Sequence, residues 1–187
     1  QLVDEDLLMV TEIFKSLKIV REVDLEGNSM LSDRSLLPLL KQLHDGPGAH
    51  KHLRSLSLRG CMGSTNPEGV QRVLTAISDL ILNQVPYLIF LDISGVCMGP
   101  KTHLALCQAI KEHPRLKSVG LADVKLGFDT PDVRECIDIL LQTPTLQSLD
   151  LAWNSFDDEI FEKLGEAMVG TQCLKNLGVS NCACNGK

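Results

Sequence analysis

The chain has 187 residues, is 44% hydrophobic and 22% charged, and carries a net charge of −6 with a pI near 5.3. This is the composition of a globular chain with a real core, not of a disordered or fibrous one. The acidic balance excludes a general nucleic-acid binder, whose affinity needs clustered Lys and Arg, and excludes an anionic membrane surface as partner. No apolar run reaches the ~18 residues of a membrane span. The start Gln1-Leu2-Val3-Asp4-Glu5-Asp6 is acidic, has no initiator Met and does not read as a signal peptide. It predicts a fragment of a longer protein.

Leucine dominates, with 32 copies against seven aromatic residues. Residues 4–17 read as a helix that belongs to a repeat before the first strand. Val20, Val23, Leu25 and Asn28 form a degenerate strand copy. After a loop at Gly46-Pro47-Gly48-Ala49-His50-Lys51-His52, the segment Leu53-Arg-Ser-Leu56-Ser-Leu58-Arg-Gly-Cys61 is a clear copy. A second loop, Gly63-Ser64-Thr65-Asn66, leads into Asn66-Pro67-Glu68. That triplet is a helix start: a capping side chain, proline in the first turn, then an acid that suits the dipole. Leu88, Leu91 and Ile93 give a third copy, followed by a helix over 101–112. Leu116, Val119 and Leu121 give a fourth, followed by the start Thr130-Pro131-Asp132 and a helix over 131–142. Leu146-Gln-Ser-Leu149-Asp-Leu151-Ala-Trp-Asn154 is the cleanest copy, with a helix over 157–168. Leu174, Leu177, Val179 and Cys182 close the series.

The copies start at 20, 53, 88, 116, 146 and 174, spaced by 33, 35, 28, 30 and 28 residues, and Pro86, Pro114 and Pro144 each stand two residues before a start. In the helices Leu106, Ala109 and Ile110 match Cys136, Ile139 and Leu140, and Leu164, Ala167 and Met168, on one helical face. A strand and helix of this length cannot bury their apolar faces alone, so stacked copies must share a continuous core. The expectation is an α/β solenoid in one domain over 1–187. Its parallel strands, near 20–28, 53–61, 88–96, 116–124, 146–154 and 174–182, line the concave side, and helices line the convex side. The chain ends after the sixth strand and before its helix, which predicts a missing cap or further repeats in the parent.

The Leu-x-x-Leu-x-Leu-x-x-Asn/Cys pattern with one helix per repeat resembles the leucine-rich repeat proteins, and the spacing resembles the ribonuclease-inhibitor-like subclass. The resemblance covers residues 4–187. It implies a protein-binding scaffold, since members include innate immune sensors, actin pointed-end cappers and the activator of the Ran GTPase. In that family an asparagine slot ties down the turn after each strand. Here the slot holds Asn28, Cys61, Val96, Val124, Asn154 and Cys182. The two valines break the ladder, and the turn there must be held by bound water or a shifted register.

Alternation along each strand names the side chains of the concave face. The central row is Asp24, Ser57, Asp92, Gly120, Asp150 and Gly178. The row before it is Glu22, Ser55, Phe90, Ser118, Ser148 and Asn176. The row after it is Glu26, Arg59, Ser94, Ala122, Ala152 and Ser180, with Asp123 and Trp153 entering the turn. The face therefore sets Glu22, Asp24, Glu26, Asp92, Asp123 and Asp150 against Arg59 alone. The competing reading is that strand surfaces are simply polar where they meet water. Strands ~4.8 Å apart put the three aspartates of the central row ~10 Å from one another, near one Debye length, so their repulsion is tolerable. Such a surface projects a negative potential. Trp153, with Phe90 on the same face, has the character of an interface anchor, against a packing role over a neighbouring strand end. Gly120 and Gly178 flatten the floor for a partner's side chain.

Seven cysteines, an odd number, and no Asn-x-Ser/Thr sequon predict a reducing, cytoplasmic setting, the nucleus included. Cys182-Ala183-Cys184 is spaced too closely for a zinc knuckle. Cys107 and Cys136 fall on the buried helix face, where thiols are inert. The histidines at 44, 50, 52, 103 and 113 read as loop and helix-surface residues, and His50-Lys51-His52 as a solvated loop. No phosphate loop, nucleophile elbow or zinc-helix motif occurs. The reading is a non-enzymatic interaction domain without metal or cofactor, monomeric or weakly self-associating through its 174–184 strand. It binds another protein, one with a basic surface, through Glu22, Asp24, Glu26, Arg59, Phe90, Asp92, Asp123, Asp150 and Trp153. The alternatives are a small-GTPase regulator working through loop residues such as Arg34 and Arg59, and a structural spacer in a large assembly.

Overall fold

Each repeat contributes one short strand whose central side chain points into the helix layer. The computed structural model describes residues 1–46, 49–127, 132–170 and 173–184. The main strands are β1 (Glu22–Asp24), β2 (Ser55–Ser57), β3 (Phe90–Asp92), β4 (Ser118–Gly120), β5 (Ser148–Asp150) and β7 (Asn176–Gly178). They form one parallel, open sheet in that order, with β1 and β7 at its edges. The register is strict: Asp24 lies beside Ser57, Ser57 beside Asp92, and so on to Gly178. Two-residue strands β6 (Ser155–Phe156) and β8 (Ala183–Cys184) make a second small sheet that alternation did not anticipate.

The helices are α1 (Asp4–Phe14), α2 (Asp33–Asp45), α3 (Pro67–Asn83), α4 (Pro100–Glu112), α5 (Val133–Leu141) and α6 (Asp158–Gly170), each packed on the next. The 46–52 loop includes a 3₁₀ turn over Ala49–His52, while Pro47 and Gly48 lie outside the described residues. Asn66 caps α3 as its side chain dictates, its Oδ1 accepting from the Gly69 N–H at 2.7 Å, a contribution of ~1 kcal/mol. At α5, Thr130 and Pro131 lie outside the described residues, and Asp132 makes no capping bond with its side chain. Among the described residues no helix is long and apolar enough to cross a membrane.

The core is the leucine ladder. Leu56, Leu91, Val119 and Leu149 at the strand centres are at most 1% exposed, as are Leu36, Leu39, Val73, Leu74, Leu106 and Ile110 from the helices. Each fully buried leucine contributes ~1.5–3 kcal/mol, so the fold rests on many equal increments and no single key residue.

The turns after the first three strands share one solution. In Leu25–Asn28, Leu58–Cys61 and Ile93–Val96 the fourth N–H returns to the first carbonyl, at 3.3, 3.0 and 3.1 Å. The third residue is Gly27, Gly60 or Gly95, each with φ between 66° and 77°. A turn of this type needs positive φ there, which glycine adopts without steric cost. Cys61 and Cys182 fill the asparagine slot by donating their thiols to Leu25 O and Leu151 O, at 3.0 and 3.2 Å.

The expectation of a shifted register at the two valines is corrected. The strand register there is unbroken. Val96 closes its turn through its own N–H, and Ser94 Oγ accepts from Ala122 N. At Val124 the work passes to Asn154 in the next repeat. Its Oδ1 accepts from Val124 N and Leu126 N, at 3.2 and 3.0 Å, and its Nδ2 donates to Leu121 O and Leu151 O, at 2.8 and 3.0 Å. One buried carboxamide thus uses both donors and both lone pairs.

Two histidines are also placed differently from the sequence reading. His103 and His113 are 1% and 2% exposed, not on the surface. His113 stands at the end of α4. Its Nε2 donates to Val85 O at 3.0 Å and its Nδ1 accepts from Leu116 N at 3.0 Å and Arg115 N at 3.2 Å. These partners fix the neutral tautomer, and burial pushes its pKa down from the usual histidine value.

Candidate functional site

The in-register strands bring Glu22, Asp24, Phe90, Asp92 and Asp150 onto one sheet face, with Glu26, Arg59, Asp123 and Trp153 at the turns where the strands end. The three aspartates of the central row have a local task. Asp24, Asp92 and Asp150 each accept, through Oδ1, the N–H two residues on: Glu26 at 2.9 Å, Ser94 at 2.8 Å and Ala152 at 3.0 Å. This is the self-capping turn for which Asp is selected. Where the row holds Gly120, the Ser94 hydroxyl of the preceding repeat serves Ala122 instead.

Gly120 and Gly178 do not leave an open floor. A Cβ at Gly120 would lie 2.5 Å from Asp92 Cγ, and one at Gly178 would lie 2.6 Å from Asp150 Oδ1. The carboxylates lie flat across their glycine neighbours, which is why Asp92 is only 7% exposed. Arg59 spans the first repeats, 3.2 Å from Asp92 and 3.7 Å from Glu26. It is therefore engaged within the face, and among the described residues Glu22, Asp24, Asp123 and Asp150 have no cation within ion-pair distance. Phe90, half-buried, starts its strand, whereas Trp153 follows the end of its own. The two rings belong to opposite ends of the face.

Trp153 is 63% exposed and sits at φ 60°. It occupies the turn position that the first three repeats give to Gly27, Gly60 and Gly95. Asp123 (φ 51°) and Asn181 (φ 55°) share that position in their own repeats. Asp and Asn tolerate left-handed backbone, but a bulky aromatic there is an outlier. The indole borders a shallow hollow of about 250 Å³ with Arg59, Gly60, Ser94, Gly95, Ala122 and Asp123. Among the described residues no three His, Cys, Asp or Glu side chains stand close enough to hold a metal ion. Cys107 and Cys136 meet between α4 and α5, and their hydrogen bond together with burial pushes the Cys107 thiol well up.

Alternation missed a further row. At each strand entrance two successive amides bond to one carbonyl: Arg54 N and Ser55 N to Arg21 O, Ile89 N and Phe90 N to Arg54 O, and likewise through Lys175 and Asn176 to Gln147 O, at 2.8–3.2 Å. This repeated bulge turns an extra residue outward in every repeat. Arg21, Arg54, Ile89, Lys117 and Lys175 are exposed as a result. Reading the residue directly after the first apolar position of each Leu-x-x-Leu as outward-facing would have found them.

Comparison with known proteins agrees with this geometry. A family model described as "Leucine Rich repeat" matches residues 142–165. The chain is 33% identical over 171 residues to the mouse NACHT, LRR and PYD domains-containing protein 12, covering 89% of this chain. It spans 15% of that relative's length. The tropomodulin C-terminal domain of Caenorhabditis elegans superposes with a TM-score of 0.58 at 13% identity, over 78% of this chain and 82% of that one. That similarity speaks for the fold alone. With the six-stranded parallel sheet, the alternating helices and the repeated turn, these matches identify the chain as a leucine-rich repeat protein.

Proposed function

We propose that this protein is a non-enzymatic scaffold that holds a protein partner against the acidic strand face and the turns that follow it. Trp153 is the anchor, and the carboxylates of Glu22, Asp24, Asp123 and Asp150 favour a basic partner surface. Leucine-rich repeat domains typically bind other proteins, and the observation that carries the reading is Trp153 itself. An exposed indole is held in a left-handed conformation where the first three repeats use glycine and the two adjoining ones use Asp123 and Asn181. The turn does not need it, so its strain points to a function outside the fold. The adjoining hollow can receive one partner side chain, and Asp123 lies at its rim. The free thiols of Cys61, Cys107 and Cys136, all buried, suit a reducing, intracellular setting.

The test uses residues with no bond to hold in the fold. Asp92 and Asp150 cap turns, so reversing them would confuse folding with binding. Glu22→Gln, Asp123→Asn and Trp153→Gly are to be combined, and the partners captured by the full chain compared with those of the wild type. Loss of basic-surfaced partners at unchanged circular dichroism is expected. An identical partner set would overturn the proposal.

A further inference from the structure

The opposite edge of the sheet carries the reverse charge. Arg21, Arg54, Lys117 and Lys175 stand in the bulge row at the strand entrances, and Arg115 lies just before β4. All five are exposed, and among the described residues none has a carboxylate within ion-pair distance. Arg115 instead stacks over the Tyr87 ring at 4.8 Å, and Tyr87 and Ile89 are 44% and 38% exposed in the middle of the row. Two hollows follow this edge. One of about 190 Å³ lies between Arg21, Arg54 and Tyr87. The other, of about 560 Å³, lies between Ile89, Arg115, Lys117 and Lys175. In a chain of net charge −6, five unpaired cations on one edge are a local reversal of the protein's field.

We infer that this edge is a second interaction surface, and that its occupant is an extended acidic polypeptide segment lying across the strand entrances with an apolar side chain over Tyr87 and Ile89. Register supplies the spacing. Arg54 to Lys117 and Lys117 to Lys175 are each two strands apart, ~10 Å at ~4.8 Å per strand. A chain extended as polyproline II advances ~9 Å per three-residue turn and returns residue i+3 to the face of residue i, so carboxylates three residues apart meet successive cations. The groove is also narrow. Glu22 adjoins Arg21 in sequence, and Asp24, Asp92 and Asp150 lie about 10 Å further along the strands. A peptide fits within that margin, whereas a duplex or a membrane would bring its phosphates over the carboxylates.

The experiment is selection of random displayed peptides of about twelve residues on the full chain, followed by titration of a synthetic copy of the enriched sequence. The titration is repeated on the triple variant Arg54→Glu, Lys117→Glu, Lys175→Glu and on its Gln counterpart, each checked by circular dichroism. The Gln set keeps the test valid if charge reversal disturbs folding. Enriched peptides carrying Asp or Glu three residues apart are expected. Their affinity should fall at least about tenfold in either variant, and fall again as salt shortens the Debye length. It should remain unchanged in Trp153→Gly, which separates this surface from the one proposed above. Absence of enrichment, an uncharged or basic consensus, or equal affinity for the variants would overturn the inference. So would binding of an oligothymidine or of phosphatidylserine vesicles, lost in the variants, in place of peptide binding.

Discussion

Trp153→Gly and Trp153→Ala separate strain from packing at the anchor. An L-residue in the left-handed region costs ~1–2 kcal/mol. Glycine escapes that cost but loses ~0.5–1 kcal/mol through the freedom of its unfolded chain. The glycine variant should therefore be more stable than the alanine variant by ~0.5–1 kcal/mol, the reverse of their order in a helix or strand. The lost indole sets the common offset. At 63% exposure, little more than a third of a side chain that buries at most ~250 Å² is covered. At ~25 cal/mol per Å² this is at most ~2 kcal/mol, and less once residual burial in the unfolded chain is subtracted. Urea unfolding of the three proteins at matched slope measures both differences. Alanine equal to or better than glycine would refute left-handed strain at this position. A loss above ~3 kcal/mol in both variants would make the indole a packing residue and remove the argument for an anchor.

Two further predictions concern the fold that presents the faces. Gly120→Ala should destabilise by ~1–3 kcal/mol, because its methyl displaces the Asp92 carboxylate from Ser94 N and Arg59 and leaves a buried N–H unpaired. In an Asp92→Ala background the same change should cost much less, and a double-mutant cycle that shows no coupling would contradict the contact. Burial lowers the His113 pKa, so below the ordinary histidine value of 6.5 the unfolded chain binds more protons than the folded one. Stability is full above that value and declines as pH falls from it toward the folded pKa. His113→Thr, which copies the Thr143 of the next repeat, should flatten that decline relative to wild type, and parallel pH profiles would contradict it.

The solenoid was legible because its signal is redundant. Six copies of a leucine pattern fix strand position and register even where Val20 or Cys61 departs from consensus. What escaped was local. Alternation assumes a regular strand, and the shared carbonyls of Arg21, Arg54, Ile89, Lys117 and Gln147 break it once per repeat. The basic edge therefore stayed hidden behind the acidic rows. The aspartates were legible as a row but not as turn caps, since capping depends on which N–H the neighbouring strand leaves over. Likewise Asn154 serves Val124 across 30 positions, a relation that only the stacking of repeats creates. His113 read as a surface residue because the Val85 carbonyl that accepts from it belongs to another repeat.

The turn position after the strands shows how a repeat fold divides structural from presentational work. Gly27, Gly60 and Gly95 meet the conformational demand at no steric cost, and each also donates its N–H to the next strand's turn, as in Gly60 N to Ser94 O at 2.8 Å. Asp123 and Trp153 make the same backbone bonds, to Ala152 O and Ser180 O at 2.9 Å. Backbone bonding is therefore equal in both halves, and only the side chains differ. In the first three repeats the position presents nothing to a partner. In the next two it presents a carboxylate and an indole beside one hollow. The larger basic hollow, with Lys117 and Lys175, also lies on β4 to β7. Side chains suited to partners thus stand at both ends of the C-terminal strands, while the glycine turns that cost least are confined to the first three repeats.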